Sequence, residues 1–144
     1  MCVGTGLQRL ILFLHFKTSI MPIDLLAEFS VTDKAPNGDA EELFNMFLSS
    51  NENILLYYKH TRDKVVFTDS KIIAMDVQGL TGKKKQFRMF PYSKITSYSV
   101  ETAGTFDWDS DLKIWVSGVG TFAVKLGKKI DIIEIGKLLS EKIK

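Results

Sequence analysis

The 144-residue chain holds one cysteine, Cys2, so no disulfide can form within it and no cysteine-based metal site exists. Its two histidines, His15 and His60, stand in no carboxylate or thiol pattern that would make a metal centre or a catalytic dyad. Charge of one sign is also scarce. The net charge of +2 is carried by Arg9 and Lys17, so from Met21 onward 17 basic residues face 17 acidic ones. A general nucleic-acid binder needs a basic face to displace phosphate counterions, and this balance argues against one. Long apolar runs are missing too. Leu10 to Phe16, interrupted by His15, is far short of the roughly 20 residues that cross a bilayer. A signal peptide would add a basic start and a small-residue cleavage site, and here one Arg is followed by no Ala-x-Ala pattern. Two readings of residues 1–20 remain: an upstream extension preceding a true start at Met21, or an amphipathic lead-in that packs on the domain.

What is present is ordinary globular composition, 45% hydrophobic and 25% charged, in a length that suits one domain. Residues 23, 26 and 29, with Leu25 beside them, form a short stripe at helical spacing. Pro36-Asn37-Gly38 breaks the chain, and Asp39 with Glu42 resembles a capping box. Leu43, Phe44, Met46, Phe47 and Leu48 then supply an apolar face, predicting a helix over 39–49. From Ile54 the period becomes two. Strands are predicted at 54–59, 64–68, 71–76, 83–90, 92–101, 112–117 and 122–126, separated by short turns. Pro91 sits where proline is tolerated, at a strand's first position or edge. Seven short strands of this kind make an antiparallel sandwich or barrel. Asp131 with Glu134 repeats the capping pattern, and Ile132, Ile135, Gly136, Leu139 and Ile143 form one stripe, so the chain closes with an amphipathic helix. Three regions follow: 1–20 as an apolar extension, 21–50 as a helical segment, and 51–144 as the main domain.

Few patterns carry chemistry. Asp107, Asp109 and Asp111 look like the start of a calcium loop, but positions six and twelve hold Leu112 and Gly118, and the motif fails. A solvated acidic turn explains them. Gly79-Leu80-Thr81-Gly82-Lys83-Lys84 resembles a phosphate loop, yet Val77 and Lys84 occupy places that need Gly and Ser or Thr. Lys83, Lys84 and Lys85, with Arg62 and the nearby Lys59 and His60, are the candidate site for an anion or an acidic headgroup. The plainer reading is a charged edge that discourages aggregation, since alternate lysines on a strand point to opposite faces. Nothing places a nucleophile and a base together, so the reading is non-enzymatic and no cofactor is implied. A buried polar cleft containing His60 and carboxylates would reverse that. Trp115 alternates against Leu112, Ile114 and Val116 and so faces outward with Lys113; Trp108 and Phe106 lie in the preceding loop. An outward Trp is either covered by another segment of the chain or is an interface residue, which makes Trp108 and Trp115 candidate contacts.

Several phrases resemble the bacterial pleckstrin-homology-like domain family. They are Arg62-Asp63 leading into Val66-Phe67-Thr68, Asp76-Val77-Gln78-Gly79-Leu80-Thr81-Gly82-Lys83-Lys84, Pro91-Tyr92, Glu101-Thr102-Ala103-Gly104 and Leu112-Lys113-Ile114-Trp115, in consistent order over about residues 39–143. The resemblance implies a mainly β fold, a partly open barrel of two antiparallel sheets capped by the C-terminal helix. It also implies a cytoplasmic, non-enzymatic domain that assembles into symmetric rings, with copies of itself or another protein as partners. One departure is that Ser70 precedes a lone Lys71 where the family has a basic pair. The first strand-to-strand loop offers only His60, Arg62 and Lys64 around Asp63, so lipid recognition does not transfer. A membrane or lipid contact through Lys83–Lys85 stands as the alternative.

Overall fold

In the computed structural model the chain is described over residues 25–104 and 109–144. Residues 1–20, the possible start at Met21, and Phe106, Asp107 and Trp108 lie outside the described residues. The elements run β1 (Leu25–Val31), β2 (Asp33–Lys34), α1 (Asn37–Phe44), a 3-10 turn (Asn45–Phe47), β3 (Ile54–Lys59), β4 (Asp63–Thr68), β5 (Lys71–Gln78), β6 (Lys84–Pro91), a second 3-10 turn (Tyr92–Lys94), β7 (Ile95–Glu101), β8 (Ser110–Val116), β9 (Gly120–Leu126) and α2 (Ile132–Lys142). They form two sheets, a five-stranded one in the order β2-β3-β4-β5-β6 and a four-stranded one in the order β1-β9-β8-β7.

All seven strands expected from the period-two pattern are present, and the partly open shell holds. It is not a closed barrel, because β6 and β7 are consecutive yet share no ladder. Between the sheets lies the main core, where Phe29, Tyr58, Val65, Phe67, Ile114, Phe122 and Leu126 meet Ile132, Ile135 and Leu139 of α2. The helix therefore plugs the shell with one apolar stripe, as its spacing requires. Asp131 caps it, accepting from the Ile133 N–H at 2.9 Å. Glu134 does not complete a capping box. Its carboxylate binds the Lys34 ammonium at 2.7 Å instead and ties the helix to β2.

The N-terminal segment corrects the sequence reading. Residues 25–31 are a strand, not a helix, and pair in parallel with β9 through Phe29–Val124 and Val31–Leu126. Seven residues are too few to separate the two periods. Ala27, Phe29 and Val31 alternate into the core, while Leu26, on the expected helical stripe, is exposed. An open edge on β9 decides the matter, since tertiary pairing outweighs a weak local preference.

The helix expected over 39–49 is α1 followed by the 3-10 turn, starting at Asn37 after Pro36. Asp39 falls inside the first turn and caps nothing. The Asn37 side-chain amide instead donates to the carbonyls of Ile54 and Leu55 at 3.2 and 3.1 Å, fixing α1 to β3. Ala40 and Phe44 of α1 bury themselves against Tyr57, Val66, Ile73 and Met75 on the outer face of the five-stranded sheet. That second core explains why Ile54–Tyr58, Val65–Phe67 and Ile72–Met75 are near-continuous apolar runs: both faces of these strands are covered.

Candidate functional site

The β3–β4 turn and the β5–β6 loop come together at one end of the five-stranded sheet. The Val77 N–H donates to the Arg62 carbonyl at 3.3 Å. Register places Lys85 opposite Val77 and Lys84 opposite Gln78, so Arg62 and the lysine run share that end. Alternation sends Lys85 to the outer face and Lys84 to the inner one, as the strand period demands. The outer-face lysines are Lys59, Lys64 and Lys85. Burial, followed by the charges of Lys59 and Lys85, lowers the pKa of the Lys64 ammonium, with Asp63 opposing. Lys83, Lys84, Lys85 and Arg62 are all exposed.

The inner rim beside them is acidic. Asp63 sits opposite Asp76 in the β4–β5 register. Burial raises the Asp63 pKa; the Ser30 N–H, donating to its Oδ2 at 2.8 Å, opposes, and the Asp76 charge adds to the rise. That hydrogen bond ties β1 to the turn. The exposed His60 meets the Thr32 hydroxyl at 2.9 Å through Nδ1. His60 lies exposed at the surface of this turn. Among the described residues no three potential metal ligands converge.

A polar knot lies at the opposite end of β4. Thr68, fully buried, donates its hydroxyl proton to Glu52 and accepts from the Lys71 N–H at 3.0 Å. The Lys71 ammonium binds Glu52 at 2.9 Å, and the Tyr92 hydroxyl donates to the Thr68 carbonyl at 2.7 Å. Burial works to raise the Glu52 pKa, but Thr68, the Ser49 N–H and Lys71 outweigh it and hold the carboxyl at about 2. Every group here is satisfied, so the knot is structural. The lone Lys71 that departs from the family's basic pair is spent on Glu52.

Two features complete the surface, of which the first is in keeping with the partly open shell the resemblance implies and the second has no counterpart in the sequence pattern. The first is the mouth between the sheets. Among the described residues β6 and β7 pair on one side only, so eight-residue and seven-residue strand edges stand open. The second is a groove of about 560 Å³ between the β7 edge and α2, floored by Tyr98, Val100, Ile132, Ile133 and Gly136. The groove joins residues of β7 and α2 that are distant in sequence, and no local pattern records that. On the outer face of the four-stranded sheet, Trp115 is half-buried between Ser97 of β7 and Thr121 of β9, with Lys113 pointing the same way. The outward placement expected of it is therefore met, although no described helix covers this face as α1 covers the other.

The arrangement matches known proteins. A sequence profile described as a bacterial PH domain fits residues 26–143. The chain belongs to that family. It is 47% identical over 102 residues to the uncharacterized protein YjqA of Bacillus subtilis (strain 168), covering 69% of this chain and 81% of that one. The uncharacterized protein YozO of the same organism is 33% identical, covering 72% and 88%. The crystal structure of a DUF1696-family protein with a pleckstrin-homology domain from Shewanella loihica PV-4 superposes with a TM-score of 0.71 at 36% identity, covering 77% of this chain and 96% of that one. A pleckstrin-homology domain from Shewanella amazonensis SB2B gives 0.64 at 37% identity, covering 76% and 90%. The profile includes β1, in keeping with that strand's place in the sheet. No helix among the described residues is long and apolar enough to cross a membrane.

Proposed function

We propose that this PH-like domain is a non-catalytic, cytoplasmic scaffold that assembles with copies of itself into a symmetric ring. The observation that carries the reading is the open mouth. β6 keeps an unbroken register with β5 along its whole length, so its other edge, unpaired among the described residues, is long and unkinked. Such edges pair with other chains unless they are short, bulged, charged or covered. Lys84 and Lys85 guard only one end of β6, and Met89 toward the other is 41% exposed. The half-buried Trp115 supplies a further contact, and Trp108, earlier in the sequence, is offered with it. Sedimentation at micromolar concentration tests the reading: an oligomer is expected for the full chain and for a version beginning at Met21. A monomer in both overturns it.

A second reading rests on the cluster of Lys59, Lys64 and Lys85, where burial first and then the charges of Lys59 and Lys85 lower the pKa of the Lys64 ammonium. With Arg62, Lys83 and Lys84 around it, this end would hold a phosphate or an anionic headgroup. Vesicles of phosphatidylserine and phosphatidylcholine should then carry the protein down at low salt, less so at high salt. No co-sedimentation at low salt eliminates this reading.

A further inference from the structure

We propose that the outer face of the four-stranded sheet is the seat of this chain's own N-terminal extension, with residues 10–16 lying across Trp115, Thr121 and Ala123. The proposal goes beyond self-association and concerns a surface other than the β6 edge.

Thr121 and Ala123 of β9 point outward, because Phe122 and Val124, which alternate with them, fill the main core. Outward residues with no helix upon them ordinarily stand in water, yet these two are only 5% and 2% exposed. Ala123 belongs to neither of the two cores. Its cross-strand neighbours on this face, Glu28 and Lys113, are themselves exposed, and no described helix or strand lies over it. Beside Thr121 the Trp115 ring is half-buried as well. A further segment shelters this strip.

The extension enters the fold on this sheet. Register aligns Leu25, Thr121, Trp115 and Ser97 in one row across β1, β9, β8 and β7. With strands about 4.8 Å apart, Trp115 lies about 10 Å from the point where the preceding chain joins β1. Phe16 stands nine residues before Leu25, a stretch that reaches roughly 30 Å when extended. Leu25 and Leu26, 39% and 45% exposed, carry the apolar strip toward it.

The chemistry of the segment suits the strip. Residues 10–16 are apolar except for His15, a run that gains by leaving water. Arg9 and Lys17 flank the run and no acid occurs in the first twenty residues, whereas the face presents Glu28, Glu101 and Asp111 against Lys113 and Lys125. The groove beside α2 is the poorer seat, since it lies at β7, the far edge of the sheet from β1, with Lys137 on its wall. Residues 105–108 connect to the sheet through Glu101 and Ser110, at the end opposite Trp115. Trp115 then meets another copy only where the extension is displaced or absent, as in a chain beginning at Met21.

The test uses the full chain with Trp108→Phe, so that Trp115 is the single tryptophan. Acrylamide should quench its fluorescence weakly. Adding Leu10→Glu and Leu14→Glu, which alter no residue of either sheet, should raise the quenching severalfold and shift the emission to the red, because an uncovered indole faces water. Quenching unchanged by the two glutamates overturns the proposal, since strand neighbours or another copy would then shelter the ring. Protection that fades on dilution overturns it too, because the segment would come from a second molecule. Trypsin supplies an independent measurement. Cleavage after Arg9 and Lys17 should be slow in the native chain and severalfold faster with the two glutamates, and equal rates overturn the proposal.

Discussion

The two sheets of this domain share one core and differ on their outer faces. The five-stranded sheet is sandwiched: α1 lies on its outside, Phe44 is fully buried there, and rings stack edge-on from Tyr57 through Phe44 to Phe87. The four-stranded sheet shows a mixed face of Ser97, Ser99, Glu101, Lys113 and Trp115, with no described helix upon it. One sheet thus spends both faces on folding, whereas the other buries one face and carries no described helix on its second.

The largest expected effect lies on the covered side. Phe44→Ala should cost about 3–5 kcal/mol, as for a fully buried aromatic, measured by urea unfolding. A loss below about 1 kcal/mol would mean that α1 is a loose appendage and the contrast between the faces is false. Acid should attack the same half through Glu52, whose side chain is 2% exposed and whose carboxyl is held at about 2. A depressed carboxyl pKa gives stability that is present above its unfolded value and lost as pH falls through the folded one. Unfolding free energy should therefore drop by about 3 kcal/mol between roughly pH 4.5 and pH 2, and Glu52→Gln should flatten that slope.

On the open side the expected effects shrink. Trp115→Ala should cost only about 1 kcal/mol of monomer stability while weakening self-association, read by sedimentation. Equal losses in both would show that the tryptophan belongs to the fold alone. The smallest effect is a gain. Asp63 has a raised pKa, so its contribution to stability falls as pH rises through its titration, and at neutral pH its charge opposes Asp76. Asp63→Asn keeps an acceptor for the Ser30 N–H and removes the repulsion. The variant should melt higher by about 0.5–1 kcal/mol equivalent at pH 7, with the difference closing in acid.

The β scaffold was legible because each of the seven strands has an alternating or doubly buried pattern within its own few residues. The C-terminal helix was legible for the same reason, through Asp131 and the stripe from Ile132 to Ile143. β1 was not, because Phe29 and Val31 acquire their meaning from β9, nearly a hundred residues away. The Trp115 orientation was readable from its neighbours Ile114 and Val116. Lys83–Lys85 were visible as a charge run, but their division between two faces beside Lys59 and Lys64 needed the fold. Gly136 belongs to the helix stripe in the sequence, and its place in the groove beside Tyr98 and Val100 needed the fold. Glu52 and Thr68 gave no signal, since a hydrogen bond between distant polar residues has no period.

The parallel ladder between β1 and β9 sets the order of events during synthesis. The first of the described strands to leave the ribosome waits for the last, so until Leu126 has emerged Phe29 and Val31 are apolar side chains without a home. Contacts that join distant segments are slow to form and leave sticky intermediates exposed in the interval. A nascent chain of this protein is therefore expected to lean on chaperones until its second sheet is complete, and to register its N-terminal strand in the final step.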